Sequence, residues 1–167
     1  MIRDARPTDR AAIEAVTLAA YEQYAAVLPA PLWEAYRRNI VATLAAAPTA
    51  AQIVAEDGSA LVGSVLLYPA GTAMGEPGRG RTLILTSPEV RLLAVAPTAR
   101  GSGVGRQLME ECIGRARAAG ARALTLHTTD MMSAAVRLYE RMGFARAAEL
   151  DFEVAPGVLV KGFRLEL

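Results

Sequence analysis

A single cysteine, Cys112, is the whole thiol content of the 167 residues, so an intrachain disulfide is excluded. This fits a reducing compartment without requiring one. Cys112 lies in an apolar helical pattern and reads as a small buried hydrophobe. An excess of one charge is also missing. Eighteen Lys and Arg against 17 Asp and Glu leave a formal net charge of +1, and no global field draws the chain to a polyanion such as DNA. Absent too is any run of about twenty uncharged apolar residues, which excludes a membrane-spanning helix. Residues 1–10 carry three arginines and two aspartates, and the apolar stretch after them is broken by Glu14 and Glu22. No secretory signal is expected there. Without internal repeats, low-complexity tracts or a long linker, residues 1–167 are expected to form one domain. That domain is expected in the cytoplasm, with no nucleic-acid partner, no membrane partner and no metal.

What is present is an ordinary globular composition. The hydrophobic fraction of 53%, raised by alanine, and the charged fraction of 21% argue against disorder. A chain of this length buries about two thirds of its unfolded surface.

Ile2 to Ala5 is extended, Pro7, Thr8 and Asp9 supply turn chemistry, and Ala11 to Leu28 repeats apolar residues at helical spacing. Pro29 and Pro31 are read as ending that helix. Leu32 to Ala46 continues as a second helix, with Trp33, Tyr36 and Ile40 three and four apart, closed by Pro48. Ala51 to Glu56 and Leu61 to Tyr68 read as strands joined by an Asp57-Gly58 turn. Pro69 to Pro88 is rich in Gly and Pro, including Pro77, Gly78 and Gly80, is interrupted by the apolar stretch Leu83 to Thr86, and reads as a mobile loop containing or leading into an extended segment. Val90 to Val95 is a nearly continuous apolar run, suited to a strand covered on both faces. Gly103 to Ala119 is a helix with Val104, Leu108, Cys112 and Ala116 on one side and Gly120 at its stop. Ala123 to Thr128 is a strand, Ser133 to Met142 a helix with Gly143 as its left-handed cap, and extended runs follow around 150–154 and 158–165. The order β, α, α, β, β, β, α, β, α, β, β argues α/β or α+β with a mixed sheet.

Arg100-Gly101-Ser102-Gly103-Val104-Gly105 lies between a buried strand and a helix start. Helix N-termini present unpaired N–H groups and the positive end of a dipole, and glycine lets a phosphate approach them closely. Two phosphate motifs fail here. A dinucleotide fingerprint starting at Gly101 needs Gly or Ala where Arg106 stands, and the ATP-type Gly-Lys-Ser/Thr ending is absent.

The run Val95-Ala96-Pro97-Thr98-Ala99-Arg100-Gly101-Ser102-Gly103-Val104-Gly105 resembles the coenzyme A signature of the GNAT-type N-acetyltransferases. Arg100, Gly103 and Gly105 fill that signature's places. Ala135-Val136-Arg137-Leu138-Tyr139-Glu140-Arg141-Met142-Gly143-Phe144 is similar to the family's later Ala-x-x-Leu-Tyr-x-x-x-Gly-Phe helix. One departure stands out: Met132 occupies a place where the family often has Asn, and the Ser133 hydroxyl is the neighbouring substitute.

The resemblance implies a mixed, mostly antiparallel sheet of about seven strands with about four helices, splayed between two central parallel strands. It implies acetyl-CoA as co-substrate, held by Leu93, Ala94, Val95, Arg100, Gly101, Ser102, Gly103, Val104, Gly105, Arg106, Ser133 and Tyr139, and a bulge in the strand that holds the pantetheine arm. Acetyl transfer to an amine needs a neutral nucleophile, oxyanion stabilisation and a proton for the departing thiolate. Glu89, at the entrance of that strand, stands where relatives carry a general base; a solvated carboxylate is its plainer reading. Tyr139, a phenol with an unperturbed pKa of about 10, is assigned as general acid; packing its ring on the sheet is the alternative. The one histidine, His127, reads as structural or catalytic, the former favoured. Tyr21, Tyr24 and Trp33, with Tyr68 and Thr128, line an acceptor channel by analogy, or belong to the core. The expected acceptor is a small primary amine, with a protein N-terminus or lysine as the alternative. From another class, a non-catalytic acyl coenzyme A sensor stays open. Monomer and homodimer are equally compatible with these residues.

Overall fold

A computed structural model of the chain describes residues 1–47, 49–75 and 82–167, with Ala155 in its backbone only. Pro48 and the loop residues Pro77, Gly78 and Gly80 therefore lie outside the described residues. The chain opens with β1 (Ile2–Asp4), a 3-10 turn at Pro7–Asp9 and α1 (Arg10–Tyr21). Ile13, Val16, Thr17, Ala20 and Tyr21 recur at three- and four-residue spacing and are buried.

The apolar period predicts a helix reaching Leu28, but after Tyr21 the chain tightens into a 3-10 turn at Glu22–Ala26. Side-chain competition accounts for this. The Ala20 carbonyl, which a continuing α-helix would give to the Tyr24 N–H, also accepts from Gln23 Nε2 at 2.9 Å and Arg100 Nη2 at 2.9 Å. The second helix, α2 (Ala30–Ala45), corrects the reading of Pro31 as a terminator. Pro31 sits in its first turn, where a missing N–H leaves nothing unpaired. Trp33 and Ile40 face inward.

β2 (Ala51–Asp57) and β3 (Ala60–Tyr68) are joined by a tight turn in which Gly58 has φ +60. So short a connection forces antiparallel pairing. β4 (Ala73–Gly75) and β5 (Thr82–Ile84) form a separate antiparallel pair within the segment read as a loop. Next come β6 (Glu89–Val95), a 3-10 turn at Pro97–Ala99, α3 (Val104–Ala118), β7 (Ala123–Thr128), α4 (Ser133–Arg141) and β8 (Ala145–Arg146). A 3-10 turn at Ala148–Leu150 leads to β9 (Phe152–Ala155) and β10 (Val158–Glu166). Gly120 and Gly143 end α3 and α4 with φ +75 and +90, and the Ala121 and Phe144 N–H groups reach back to the Ala116 and Tyr139 carbonyls at 3.0 Å each. These are left-handed caps of the expected kind.

The residues group into two compact units, Met1–Leu66 with Leu92–Glu111, and Leu67–Arg91 with Cys112–Leu167. In the first the strand order is β1-β2-β3-β6, and Ile13, Ile40, Ile53, Val54, Leu66, Leu108 and Met109 are almost fully buried. In the second it is β6-β7-β10-β8 with β9 also on β10, around Leu124, Leu126 and Phe163. Strand β6 belongs to both, and the larger sheet has eight strands among the described residues. Pairing is mostly antiparallel. β6 and β7 are parallel, with Glu89 opposite Thr125 and Val90 opposite Leu126. Four α-helices accompany the sheet, and no helix among the described residues is long and apolar enough to cross a membrane.

In the first unit Gly63 fixes where α3 begins. A Cβ there would stand 2.9 Å from Val104 Cγ1 and 3.0 Å from both the Ala94 carbonyl and Leu108 Cδ1. Only glycine lets β3 approach the helix start and β6 so closely.

Candidate active site

In the first unit, β6 runs out into the Pro97–Ala99 turn, and Gly101 and Gly103 take φ +79 and +86. Backbone of that kind strains any residue with a Cβ. A Cβ at either position would meet nothing within 4 Å, so the space beside this turn is open. Ser102, between them, donates its hydroxyl to the Ala99 carbonyl at 2.6 Å and braces the turn. α3 starts at Val104, and the Gln107 N–H donates to the Gly103 carbonyl at 3.0 Å. The N–H groups of Val104, Gly105 and Arg106 precede that bond and have no carbonyl four residues back within the helix. They form a backbone nest for an anion, reinforced by the helix dipole.

The two neighbouring arginines are already engaged with protein. Arg100 donates from Nη2 to the Ala20 carbonyl and from Nη1 to Gln23 Oε1 at 3.3 Å, which places its charge at the C-terminal end of α1. Arg106 Nε donates to Glu110 Oε1 at 2.7 Å on the exposed side of α3.

Along β6, Leu92 has φ +49, the one non-glycine in the left-handed region among the described residues. Beyond it lie Leu93, Ala94 and Val95. The Leu93 carbonyl accepts from the Tyr21 hydroxyl at 3.4 Å. Tyr21 is edge-on to Tyr24 and Tyr36, each with centroids 5.8 Å apart, and Trp33 is edge-on to Tyr36 at 6.3 Å. Tyr21 and Trp33 are buried, as core aromatics are, while Tyr24 is only half-buried. Burial pushes the Tyr24 phenol pKa up, against the opposing charge of Arg100.

The second unit holds a compact polar cluster. Glu89, at the first position of β6, is 3% exposed. Arg91 Nε–H donates to its Oε1 at 2.6 Å, and His127 Nδ1 stands 3.5 Å from its Oε2. The β6–β7 register explains the meeting. With Glu89 opposite Thr125 and a strand period of two, Glu89, Arg91 and His127 fall on one face. Burial pushes the Glu89 pKa up, but His127 and Arg91 together outweigh it and hold the carboxyl below its ordinary value.

His127 is oriented from its far side. Its Nε2 lies 2.9 Å from the Leu150 carbonyl, which can only accept, so Nε2 carries a hydrogen, and Nδ1, facing Glu89, makes no hydrogen bond to a described residue. The ring also leans on Phe152, with centroids 5.2 Å apart. The Leu150 turn is held against β10 by Gly162, where a Cβ would come within 2.9 Å of the Ala147 carbonyl and still closer to Leu150 Cβ. Asp151 Oδ1 accepts from the Gly162 N–H at 2.8 Å.

Tyr68 is buried at the end of β3 beneath Arg91, whose Cζ lies 5.8 Å from the ring centroid. Burial pushes the Tyr68 phenol pKa up, with Arg91 opposing. Tyr139 is buried on α4, its ring 5.9 Å from Phe144. Thr128 is buried, and its Oγ1 has no hydrogen-bond partner among the described residues. Ser133 is exposed at the first position of α4.

Residues 13–144 match the Acetyltransferase (GNAT) family, a span that includes both glycine-bearing blocks. The chain belongs to this family. A stretch of 57 residues is 46% identical to an IAA acetyltransferase of Azospirillum brasilense, covering 34% of this chain and 37% of that protein. Another of 70 residues is 45% identical to a streptothricin acetyltransferase of Streptomyces lavendulae, covering 42% of this chain and 36% of that one. The chain thus covers little more than a third of the length of these two relatives. Its fold is similar to that of a GNAT family acetyltransferase from Brucella melitensis solved in complex with acetyl-CoA. The TM-score is 0.64 at 24% identity, over 100% of this chain and 87% of that one.

Within this GNAT chain, the first unit collects Tyr21, Tyr24, Trp33, Leu93, Ala94, Val95 and the turn from Arg100 to Arg106. The second collects Glu89 with Tyr68, Thr128, Ser133 and Tyr139. Sequence reasoning missed Arg91, and it gave no sign that His127 stands 3.5 Å from Glu89. The signal for both is strand parity counted from Glu89, which becomes usable only once the β6–β7 register is known.

Proposed function

We propose that the chain is an N-acetyltransferase acting as one domain over residues 1–167, which moves an acetyl group from acetyl-CoA to a small primary amine. The observation carrying this reading is the Gly101–Gly103 turn at the start of α3, with left-handed backbone and open space where a side chain would lie. A pyrophosphate needs both. Bound acetyl-CoA supplies the acetyl group as an activated thioester. The N–H groups of Val104, Gly105 and Arg106 hold the diphosphate, and the backbone of Leu93 to Val95 aligns the pantetheine arm and polarises the thioester carbonyl.

Glu89 acts as the base, drawing the proton from the acceptor ammonium through water, since its own oxygens are shared by Arg91 and His127. His127, fixed by the Leu150 carbonyl, favours ionised Glu89 when both of its ring nitrogens are protonated. The amine nitrogen then bonds to the acetyl carbon and sheds its second proton to water, the carbon–sulfur bond breaks, and Tyr139 protonates the departing thiolate and regains its proton from water. Support for the small acceptor comes from relatives named for IAA and streptothricin.

The test is coenzyme A thiol release with a panel of small amines, products checked by mass. Release coupled to an acetylated amine is expected. Binding of acetyl-CoA without release to any small amine, peptide N-terminus or lysine peptide would identify a sensor instead.

A further inference from the structure

Arg91 is held more firmly than neutralising Glu89 requires. Its Nε–H donates to Glu89 Oε1 at 2.6 Å, and its guanidinium lies over the Tyr68 ring at 5.8 Å. One contact fixes the edge of the planar group and the other covers a face. The side chain is 32% exposed, against 3% for Glu89, so the cation reaches solvent where the carboxylate does not. Nη1 and Nη2 make no hydrogen bond to any described residue. A guanidinium has five N–H donors, so four are left without a bond to Glu89. Glu89 is in turn shared with His127, so the arginine charge is not answered by a carboxylate of its own.

We infer that Arg91 is an acceptor subsite for an anionic group, a carboxylate or a phosphate, so that the acceptor is an amine carrying such a group rather than a plain alkylamine. This rests on the acetyl-transfer reading above. A planar cation already fixed on one edge and one face loses little freedom on binding, and it takes a two-oxygen anion through paired N–H bonds. With Glu89 on one edge of the guanidinium and the acceptor's anion on another, the amine of a short chain is kept near the base. Tyr68, buried beneath the guanidinium, fixes the plane of the fork and hence the direction from which the anion arrives.

The test compares kcat/KM for matched pairs: β-alanine and 4-aminobutyrate against propylamine and butylamine, and O-phosphoethanolamine against ethanolamine. The wild-type protein and the Arg91→Gln and Arg91→Lys variants are assayed in parallel. The charged member of at least one pair is expected to be preferred, by roughly 10- to 100-fold. Arg91→Gln should erase that preference and Arg91→Lys restore part of it. A general fall in rate from altered Glu89 chemistry cancels in the ratio, so the ratio is the readout. Which pair responds distinguishes carboxylate from phosphate. Turnover of every pair without preference, or a preference unchanged in Arg91→Gln, overturns the subsite while leaving acetyl transfer intact. Failure to acetylate any amine, including uncharged ones, overturns the acetyl-transfer reading itself.

Discussion

Glu89 is a buried carboxylate whose titration is governed by its partners more than by its burial. Burial alone would raise its pKa, but His127 and Arg91 bring it below the ordinary 4.5. The consequence for stability has a definite sign. A depressed carboxylate stabilises the fold above its unfolded pKa, and that contribution is lost as pH falls through the lower, folded value. At neutral pH Glu89 is therefore ionised and ready to accept a proton from water. Replacing it by Gln should reduce kcat/KM by roughly 10²- to 10⁴-fold, with the deepest loss below the acceptor's pKa. Equal rates at every pH would remove Glu89 from the mechanism. His127→Phe takes away the imidazole that does most to offset burial, so the Glu89 pKa must rise. Measured with a weakly basic amine, the acid limb of kcat/KM should move to higher pH. A limb in the same place would show that His127 only fills space.

Gly63 sets the seat of α3 and, through it, the height at which the N–H nest stands. A Cβ there would push on Val104 Cγ1, the Ala94 carbonyl and Leu108 Cδ1 together. Two of these are flexible side-chain ends, but Ala94 is β6 backbone and cannot yield. Gly63→Ala is expected to lower unfolding stability by about 1–3 kcal/mol in a denaturant titration, the usual cost of overpacking. It should also weaken coenzyme A binding, because the contact falls on the first residue of the helix. Wild-type stability in this variant would mean that β3 and α3 are less closely fitted than the geometry says.

The long elements were readable because their apolar periods are long. α3, β7 and α4 lie within a residue of where spacing and cap glycines predict them. The early end of α1 was not readable, since the group competing for the Ala20 carbonyl, Arg100, is 80 residues away in sequence. β4, β5 and β8 are three residues or fewer and carry no period to detect. The same division holds at the site. Positive φ at Gly101 and Gly103 leaves a mark in sequence, because few other residues tolerate it. The meeting of Glu89, Arg91 and His127 leaves none, since it depends on a strand register.

For the molecule as a whole, a net charge of +1, with Arg100 and Arg106 already bonded to protein, leaves the backbone of one turn as the main reason for a diphosphate to bind there. Binding confined to the native state must then appear as global stability. At a concentration 100 times its Kd, coenzyme A should stabilise the fold by about 2.7 kcal/mol. For a chain of this size that corresponds to a rise in Tm of roughly 5–10 °C. ATP and NAD, whose signatures fail at Arg106 and at the missing Gly-Lys-Ser/Thr, should give a far smaller rise. Gly103→Ala separates the nest from the rest of the fold. Holding alanine at φ +86 costs about 1–2 kcal/mol, and the added methyl enters the space left for the ligand. The variant should melt slightly lower and lose most of the coenzyme A-induced rise. If it melts lower yet keeps the full rise, coenzyme A is bound elsewhere on the chain, and the turn from Arg100 to Gly105 is a helix cap and nothing more.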